Sequence, residues 1–292
     1  AAFEEDTGIT IDYTGDRSFE QLIGTRVDGG DPPDIAFFPQ PGKIRDSAPD
    51  AVALPESVVS IMEDNFDQGM IDLATVDGEV YGVPVKADLK SLVWYSPDDF
   101  EENGYEVPET MEDLLALADT MIAAGQTPFC VGIGSDAATG WPFTDWVEDF
   151  MLRLKGPEVY DQWVNHEIPF NDPQVVEVVQ YVYDLWAKEG MVRGNVQNVA
   201  DIPFADAGLP LLEDECMMHR QGNFYAANWP DGTEIGAEGE VNAFYLPTFA
   251  DQDFGQVTLT GGIYAVAFSD DPEVIQALEF LAGTQFADDR AP

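Results

Sequence analysis

The sequence of 292 residues predicts an α/β protein. Short apolar segments with the period of a strand alternate along the whole chain with longer segments that have the period of a helix. Hydrophobic residues make up 45% of the chain, which is enough for a sizeable core and argues against general disorder. No low-complexity linker interrupts the alternation, so if there are two lobes, strands must join them. The candidate crossing segments are Val83–Tyr95 and Gln256–Val266.

The strand pattern recurs in segments bounded by glycine, proline or acidic residues. These segments are Ile9–Tyr13, Pro33–Phe38, Glu79–Val85, Ser91–Tyr95, Pro128–Val131, Asn242–Leu246 and Val257–Phe268. Because helical segments separate most of them, we expect largely parallel sheets. Pro39-Gln40-Pro41-Gly42 is expected to leave the second strand by a stiff turn.

Capping residues mark where helices begin and end. Ser18 and Gln21 have the spacing of a capping box, and the helix they open should end near Gly29. The other predicted helices run from Thr110 to Gly125, from Asp172 to Gly190 and from Pro272 to Gly283. The first residues, Ala1–Gly8, read as the end of a helix stopped by glycine, and Ala287–Pro292 has no closing element, so we expect a piece of a longer protein, trimmed at both ends.

The charge is strongly acidic: 56 Asp and Glu stand against 12 Lys and Arg, for a formal net charge of -44. Such a field repels phosphate backbones and anionic lipid, so no nucleic acid and no membrane surface is expected as a partner. The acids are spread along the chain, which is typical of a solvated surface rather than one binding patch. No apolar run approaches the ~20 residues that a membrane helix needs.

Signatures of catalysis are weak. The two histidines, His166 and His219, lack the spacing of a zinc site, and no nucleophile elbow is present. Gly132–Ala137 fits a loose dinucleotide fingerprint, but Gly140-Trp141-Pro142 interrupts the helix that should follow. We therefore expect no cofactor and no metal. A secreted glycoside hydrolase stays open as the enzyme alternative, because paired carboxylates can always be proposed among so many acids.

Cys130 and Cys216 belong to no metal-binding or redox motif. From the residues alone they are either inert core thiols or one disulfide.

The segment Gly140–Phe150, GWPFTDWVEDF, places aromatic rings and carboxylates together. A sugar has apolar C–H faces that stack on rings and hydroxyls that need polar partners, so the segment favours a sugar-binding wall. Trp141 precedes a proline, which should hold its backbone extended and direct its ring toward a ligand. Thr144 is expected to cap a helix carrying Asp145 in its first turn, with Trp146 packed in the core.

Several motifs in order along the chain resemble the bacterial extracellular solute-binding proteins of sugar ABC transporters, and in particular their α-glucoside-binding members. These motifs are RVDGGDPPDI at Arg26–Ile35, the run Tyr81–Tyr95, the run Gly140–Asp149, GPEVYDQWVNHEIPFNDP at Gly156–Pro173, MHRQGNF at Met218–Phe224 and Thr260-Gly261-Gly262. Relative to that family, the first strand and the C-terminal helices, which usually add an aromatic platform, are expected to be missing. The site predicted here would therefore be incomplete.

The resemblance implies a two-lobed periplasmic-binding-protein-like fold with a ligand cleft between the lobes. Lobe 1 would comprise residues 1–90 and 258–292, and lobe 2 residues 91–257. The protein would be non-enzymatic and monomeric. It would bind a neutral sugar, an α-glucoside or a small oligosaccharide, and deliver it to an ABC permease. Its place would be outside the cytoplasm, in the periplasm or as a surface lipoprotein.

The resemblance also implies which residues touch the sugar. They are Arg17, Gln40, Lys86, Asp88, Trp141, Asp145, Arg220, Asn223, Phe224, Gly261 and Gly262. Gly261 and Gly262 would allow close approach of the backbone at a crossing strand. For Arg17, Lys86 and Asp88, an ordinary salt bridge is an equally good interpretation. The exported location favours a disulfide between Cys130 and Cys216.

Overall fold

The computed structural model describes residues 2–16 and 18–290. Arg17, one of the predicted sugar contacts, lies outside the described residues. The chain divides into two compact units, Ala1–Ala87 with Gly261–Pro292, and Asp88–Thr260. These boundaries differ by three residues from the lobes that the resemblance implied, and they fall within two long strands, Gly82–Leu89 and Thr260–Ala267.

The first unit contains short helices and two small sheets. Its helices are α1 (Ala2–Thr7), α2 (Phe19–Asp28), α3 (Pro41–Ser47), α4 (Glu56–Asn65), α5 (Gln68–Leu73), α11 (Pro272–Ala282) and α12 (Thr284–Arg290). Its strands are β1 (Ile35–Phe38), β2 (Thr75–Val76), β3 (Glu79–Val80), β4 (Gly82–Leu89) and β8 (Thr260–Ala267). Its core lies where buried side chains of α4, β8 and α11 meet, among them Val58, Met62, Ala265 and Leu278.

The second unit is richer in helix. Its helices are α6 (Pro97–Asn103), α7 (Met111–Ala123), α8 (Trp141–Leu154), α9 (Pro157–Val164) and α10 (Pro173–Ala187). Single 3₁₀ turns cover Asp136–Ala138, Val199–Asp201, Leu209–Glu213 and Asn223–Asn228. Its strands are β5 (Leu92–Tyr95), β6 (Met218–Arg220) and β7 (Asn242–Tyr245). The largest core cluster of the chain packs α7, α8 and α10 against β5 and β6.

The strand order corrects the expectation of largely parallel sheets. The order is β1-β8-β4 in the first unit and β6-β5-β7 in the second. β1 pairs with β8 antiparallel, and β5 pairs antiparallel with both β6 and β7. Parallel pairing occurs among the described residues in isolated bridges, such as Phe129 with Val192 and with Met218. The alternation of strands and helices along the chain does not determine which strands become neighbours; here β8, from the far end of the chain, inserts between β1 and β4.

Most predicted elements are present. Thr110 accepts a hydrogen bond from Asp113 N at the start of α7, and Asp172 accepts one from Gln174 N at the start of α10. Ser18 is the N-cap residue of α2, but its side chain makes no capping hydrogen bond, so the predicted capping box does not form. The strand predicted at Ile9–Tyr13 is wrong. Those residues have no regular secondary structure, and Ile11 and Tyr13 are exposed, so the alternating pattern there has no sheet to bury against.

The start of α8 corrects two expectations about Gly140–Phe150. The helix begins at Trp141, with Gly140 as the N-cap residue at φ 110° and Pro142 in the first turn. Trp141 is therefore helical rather than extended, and Thr144 lies inside the helix. Proline is well tolerated in a first turn because its missing N–H has no partner to lose there, so Gly-Trp-Pro opens the helix instead of preceding it.

Cys130 and Cys216 form a disulfide within the second unit, as the resemblance implied, with Cα atoms 5.5 Å apart. The bridge joins the segment after α7 to Cys216, two positions before the start of β6. Among the described residues, we find no helix that is both long enough and apolar enough to span a bilayer.

Candidate sugar-binding site

Helix α8 presents a row of functional side chains at helical spacing. Trp141, Asp145, Asp149 and Arg153 follow one another at intervals of one turn, so they lie along one side of the helix. Trp141 is half-buried at the N-terminal end of the row, and the other three are buried. The row thus begins at a partly exposed ring and continues into buried charged side chains.

At the outer end, Trp141 is part of a cluster of three half-buried rings. Its ring centroid lies 5.0 Å from that of Phe204, edge to face, and 5.9 Å from that of Phe224. Each of the three rings keeps some exposed surface. Rings held by one another in this way form a rigid apolar surface at little conformational cost.

A charged pair stands directly beside the rings. Lys90 Nζ donates to Asp145 Oδ1 at 2.9 Å and lies 6.0 Å from the centroid of the Trp141 ring. The Lys90 side chain is 22% exposed, whereas that of Asp145 is 5% exposed. Asp145 is therefore the buried member of the pair, and Lys90 is the member whose side chain keeps exposed surface.

Below this pair, two arginines share one carboxylate. Asp149 accepts from Arg153 Nη1 at 2.8 Å, from Ser91 Oγ at 2.5 Å and from Arg220 Nη2. Arg220 Nη1 also lies 3.9 Å from Asp145 Oδ2, within ion-pair range but too long for a hydrogen bond. The network links the Lys90–Asp145 pair to the interior of the unit.

Arg153 fastens this network to the main chain. Its Nε donates to Pro247 O at 2.9 Å, and its Nη2 donates to Leu246 O at 2.6 Å and to Val257 O at 3.4 Å. The side chain is fully buried, and a buried guanidinium is stable only when its donors are paired in this way. Arg153 thereby connects α8 to the segments that follow β7.

Glu148 is a second acid beside the charged pair. Burial raises the pKa of Glu148, the charge of Asp145 adds to the rise and Lys90 opposes it, and the resulting pKa is about 7. Tyr160 donates to Glu148 Oε2 at 3.1 Å, and burial raises the pKa of that phenol as well. Because its pKa is about 7, this carboxyl group is mostly protonated below pH 7 and does not add a full negative charge to the site there.

Strand β6 carries Arg220 and is anchored on its other side. His219 shares a hydrogen bond of 2.9 Å between its Nδ1 and Cys130 O, and its ring packs on Tyr225 at 4.5 Å. Burial lowers the pKa of His219 to about 4, so the ring is neutral and its Nδ1 donates to the carbonyl. The histidine therefore has a structural role beside the disulfide.

The structure brings four of the predicted contacts together: Trp141, Asp145, Arg220 and Phe224. Of these, Trp141 and Phe224 have exposed surface, whereas the Arg220 side chain has none and acts here by positioning the two aspartates. Asn223 is exposed, but its Oδ1 accepts from Leu89 N at 3.0 Å. That bond ties the start of the 3₁₀ turn Asn223–Asn228 to the end of β4.

The remaining predicted contacts lie elsewhere along the chain. Asp88 is buried at the end of β4, and Gln40 is exposed at the N-cap of α3. A Cβ on Gly262 would lie 2.6 Å from Lys86 O, so the glycine allows β8 to approach β4 closely, as expected of a crossing strand. Gly261 precedes it on β8. For the site, these residues remain predictions.

Sequence reasoning missed Lys90, Phe204 and the pair of Asp149 and Arg153. The last pair carried a signal, since an acid followed one turn later by an arginine is a favourable helical ion pair. Lys90 and Asp145 are 55 residues apart, and no local pattern connects residues that the fold alone brings together. Among residues 2–16 and 18–290, no group of three His, Cys, Asp or Glu side chains could hold a metal ion.

The model of the family described as bacterial extracellular solute-binding protein matches residues 1–285, nearly the whole chain. The chain belongs to the bacterial extracellular solute-binding proteins. The family membership that the motifs of this solute-binding protein predicted is thus confirmed. The family is non-catalytic, so the glycoside hydrolase alternative is not supported.

Two relatives in other bacteria are similar over most of the chain. The osmoprotective compounds-binding protein GgtB of Synechocystis sp. is 42% identical over 290 residues, covering 98% of this chain and 68% of GgtB. The alpha-glucosides-binding periplasmic protein AglE of Rhizobium meliloti is 38% identical over 293 residues, covering 96% of this chain and 64% of AglE. The chain thus spans about two thirds of the length of either relative.

Solved structures show the same fold. The bacterial solute receptor AcbH, which prefers b-D-galactopyranose, matches with a TM-score of 0.79 at 21% identity, covering 98% of this chain and 71% of AcbH. Maltose-bound MalE3 of T. maritima matches with a TM-score of 0.70 at 21% identity, covering 96% of this chain and 71% of MalE3. The α/β periplasmic solute-binding fold expected from the sequence is confirmed.

Proposed function

We propose that this solute-binding protein binds a neutral carbohydrate, an α-glucoside or a small oligosaccharide, and delivers it as a monomer to the permease of an ABC importer. One observation carries the proposal: the partly exposed rings of Trp141, Phe204 and Phe224 stand beside the charged pair of Lys90 and Asp145. A sugar needs such a combination, an apolar face for its C–H groups and fixed polar groups for its hydroxyls. The similarity to AglE supports the α-glucoside class.

The similarity to GgtB raises the question of a small osmolyte instead of a sugar. Three rings near one another can also form a cage for a quaternary ammonium group, as found for choline-like ligands. Here the ammonium of Lys90 already lies 6.0 Å from the centre of the Trp141 ring. A second cation on these rings would be repelled by it, so the geometry favours an uncharged ligand over a betaine.

Isothermal titration calorimetry against maltose, trehalose, sucrose and glycine betaine tests this proposal. We expect at least one of the three sugars to bind, to be recovered unchanged, and to raise the melting temperature. We expect glycine betaine to cause neither heat of binding nor thermal shift. Binding of betaine without binding of any sugar would refute the carbohydrate proposal, and steady release of glucose would refute the non-catalytic role.

A further inference from the structure

Lys90 has a main chain that is fixed on both sides. It lies between β4 and β5, where its N–H donates to Leu259 O and its carbonyl accepts from Leu92 N, each at 2.9 Å. The next residue, Ser91, is buried and donates to Asp149. The lysine side chain therefore starts from a rigid position next to the buried network.

The ammonium at the other end of the side chain is also held, and the side chain as a whole stays partly exposed. An ammonium has three N–H donors, and the bond to Asp145 Oδ1 uses one of them. The side chain keeps 22% of its surface exposed, and its ammonium lies 6.0 Å from the centre of the half-buried Trp141 ring. The bond to Asp145 thus leaves further donors of this ammonium near the aromatic surface.

The choice of partner sets Lys90 apart from the other lysines in ion pairs. Lys43 pairs with Asp46, Lys155 with Glu177 and Lys188 with Asp119, and all three acids are more than half exposed. Lys90 pairs with Asp145, one of three acids that are buried among the described residues. Burying a carboxylate costs free energy. In a chain with 56 acids, an exposed acid could neutralise one lysine without this cost, so neutralisation alone does not explain the buried partner.

We propose that Lys90 determines ligand specificity: its ammonium donates a hydrogen bond to one hydroxyl of the sugar that stacks on Trp141, and Asp145 positions it to do so. This inference rests on the proposed function. A cation held at a fixed point rewards a hydroxyl that lies at the matching position and penalises a ligand that lacks it. Lys90 therefore selects the stereochemistry of the ligand, while the rings supply much of its affinity.

The experiment compares wild type with Lys90→Met, which keeps the length of the side chain but removes its charge and donors. Whichever of maltose, trehalose and sucrose binds most tightly to wild type is titrated by calorimetry, together with its monodeoxy derivatives. We expect Lys90→Met to weaken binding by about ten- to a hundredfold, the range for a hydrogen bond to a charged group. We also expect the deoxy derivative that wild type rejects most to bind the variant as well as the parent sugar does.

The loss of this one discrimination separates direct contact from a structural role, because a distorted site would weaken every derivative alike. Lys155→Met removes a lysine that is similarly covered but pairs with the exposed Glu177; it is the matched control and should leave all affinities unchanged. If Lys90→Met does not fold, Lys90→Arg keeps the charge but shifts its donors, and it should lower the affinity and alter the deoxy pattern.

The outcomes distinguish the inference from the function on which it rests. A wild type that binds a sugar, with unchanged affinity in the Lys90 variants or with every deoxy penalty retained, would overturn the role of Lys90 and leave the function standing. A wild type that binds none of the three sugars would overturn both.

Discussion

Asp149 accepts a hydrogen bond of 2.8 Å from Arg153, one turn later on α8, and both side chains are completely buried. The carboxylate also accepts from Ser91 and from Arg220, so two cations share it. The arginine in turn donates to the carbonyls of Leu246 and Pro247. This pair is the point at which the row of Trp141 and Asp145 on α8, the candidate binding wall, is joined to the rest of its unit.

Asp149→Asn should therefore destabilise the protein by about 3–5 kcal/mol, because it leaves buried arginine charge without its counter-ion. Urea unfolding gives the free energy. The matched control is Glu177→Gln, which removes the charge of an exposed acid and should cost less than about 1 kcal/mol. Equal, small effects of both substitutions would contradict the structural role assigned to Asp149.

Trp141→Ala should weaken sugar binding by about 1–3 kcal/mol, because it removes the central ring of the aromatic surface. The ring is half-buried against Phe204 and Phe224, so the loss in stability should be near 1 kcal/mol. Calorimetry and urea unfolding measure the two effects, and Trp141→Phe should recover part of the affinity. A folded Trp141→Ala protein with undiminished affinity would show that this surface does not bind the sugar.

Trp146→Ala should act on stability instead. This ring is 3% exposed and contacts the rings of Phe129, Phe150 and Trp186, so its removal leaves a core cavity. We expect a loss of about 3–5 kcal/mol in the free energy of unfolding. The packing of Trp146 in the core, predicted from its spacing to Phe150, is confirmed by its burial. A loss as small as that expected for Trp141→Ala would contradict the assignment.

Glu148 predicts a dependence of stability on pH. Its pKa is about 7 in the folded protein against 4.5 for the ordinary group, so the folded state binds the proton more tightly. The resulting stabilisation is complete below pH 4.5 and is lost as the pH rises through 7. The difference in free energy of unfolding between wild type and Glu148→Gln should therefore decrease over this window.

The variant comparison is needed because His219 acts in the opposite direction. Its pKa is lowered to about 4, so its contribution is present above pH 6.5 and is lost as the pH falls through 4. Both proteins contain His219, and its effect cancels in the difference. A difference that stays constant, or that grows with pH, would contradict the raised pKa of Glu148.

Reducing the disulfide should also destabilise the protein. Cys130 and Cys216 are 86 residues apart, and a bridge that closes a loop of this length contributes about 4 kcal/mol. Thiol labelling of the denatured, unreduced protein should find no free cysteine, and dithiothreitol should lower the melting temperature. The control is the double variant Cys130→Ala/Cys216→Ala, whose melting temperature should not respond to the reductant. Two labelled thiols before reduction would refute the bridge in solution.

Local sequence determined most elements and the family. Caps such as Thr110 and Asp172 act within one turn, so the starts of α7 and α10 could be predicted without the fold. Trp141 and Asp145 could be singled out because rings and acids occur together in one segment. The start of α8 was misplaced by four residues, because Gly-Trp-Pro suits both an extended entry and a first helical turn.

Tertiary structure alone decided the pairings between distant segments. Lys90 meets Asp145, Ser91 meets Asp149 and Arg220 meets both aspartates only because β5 and β6 are neighbours beside α8. The strand order β1-β8-β4 of the first unit was likewise set by where β8, from far along the chain, inserts. Helix caps and hydrophobic periodicity act between residues that are close in sequence, whereas ion pairs and strand order depend on which surfaces the whole chain buries together. The sequence by itself therefore determined which residue types were available for binding a sugar, and the packed fold decided which of them stand side by side.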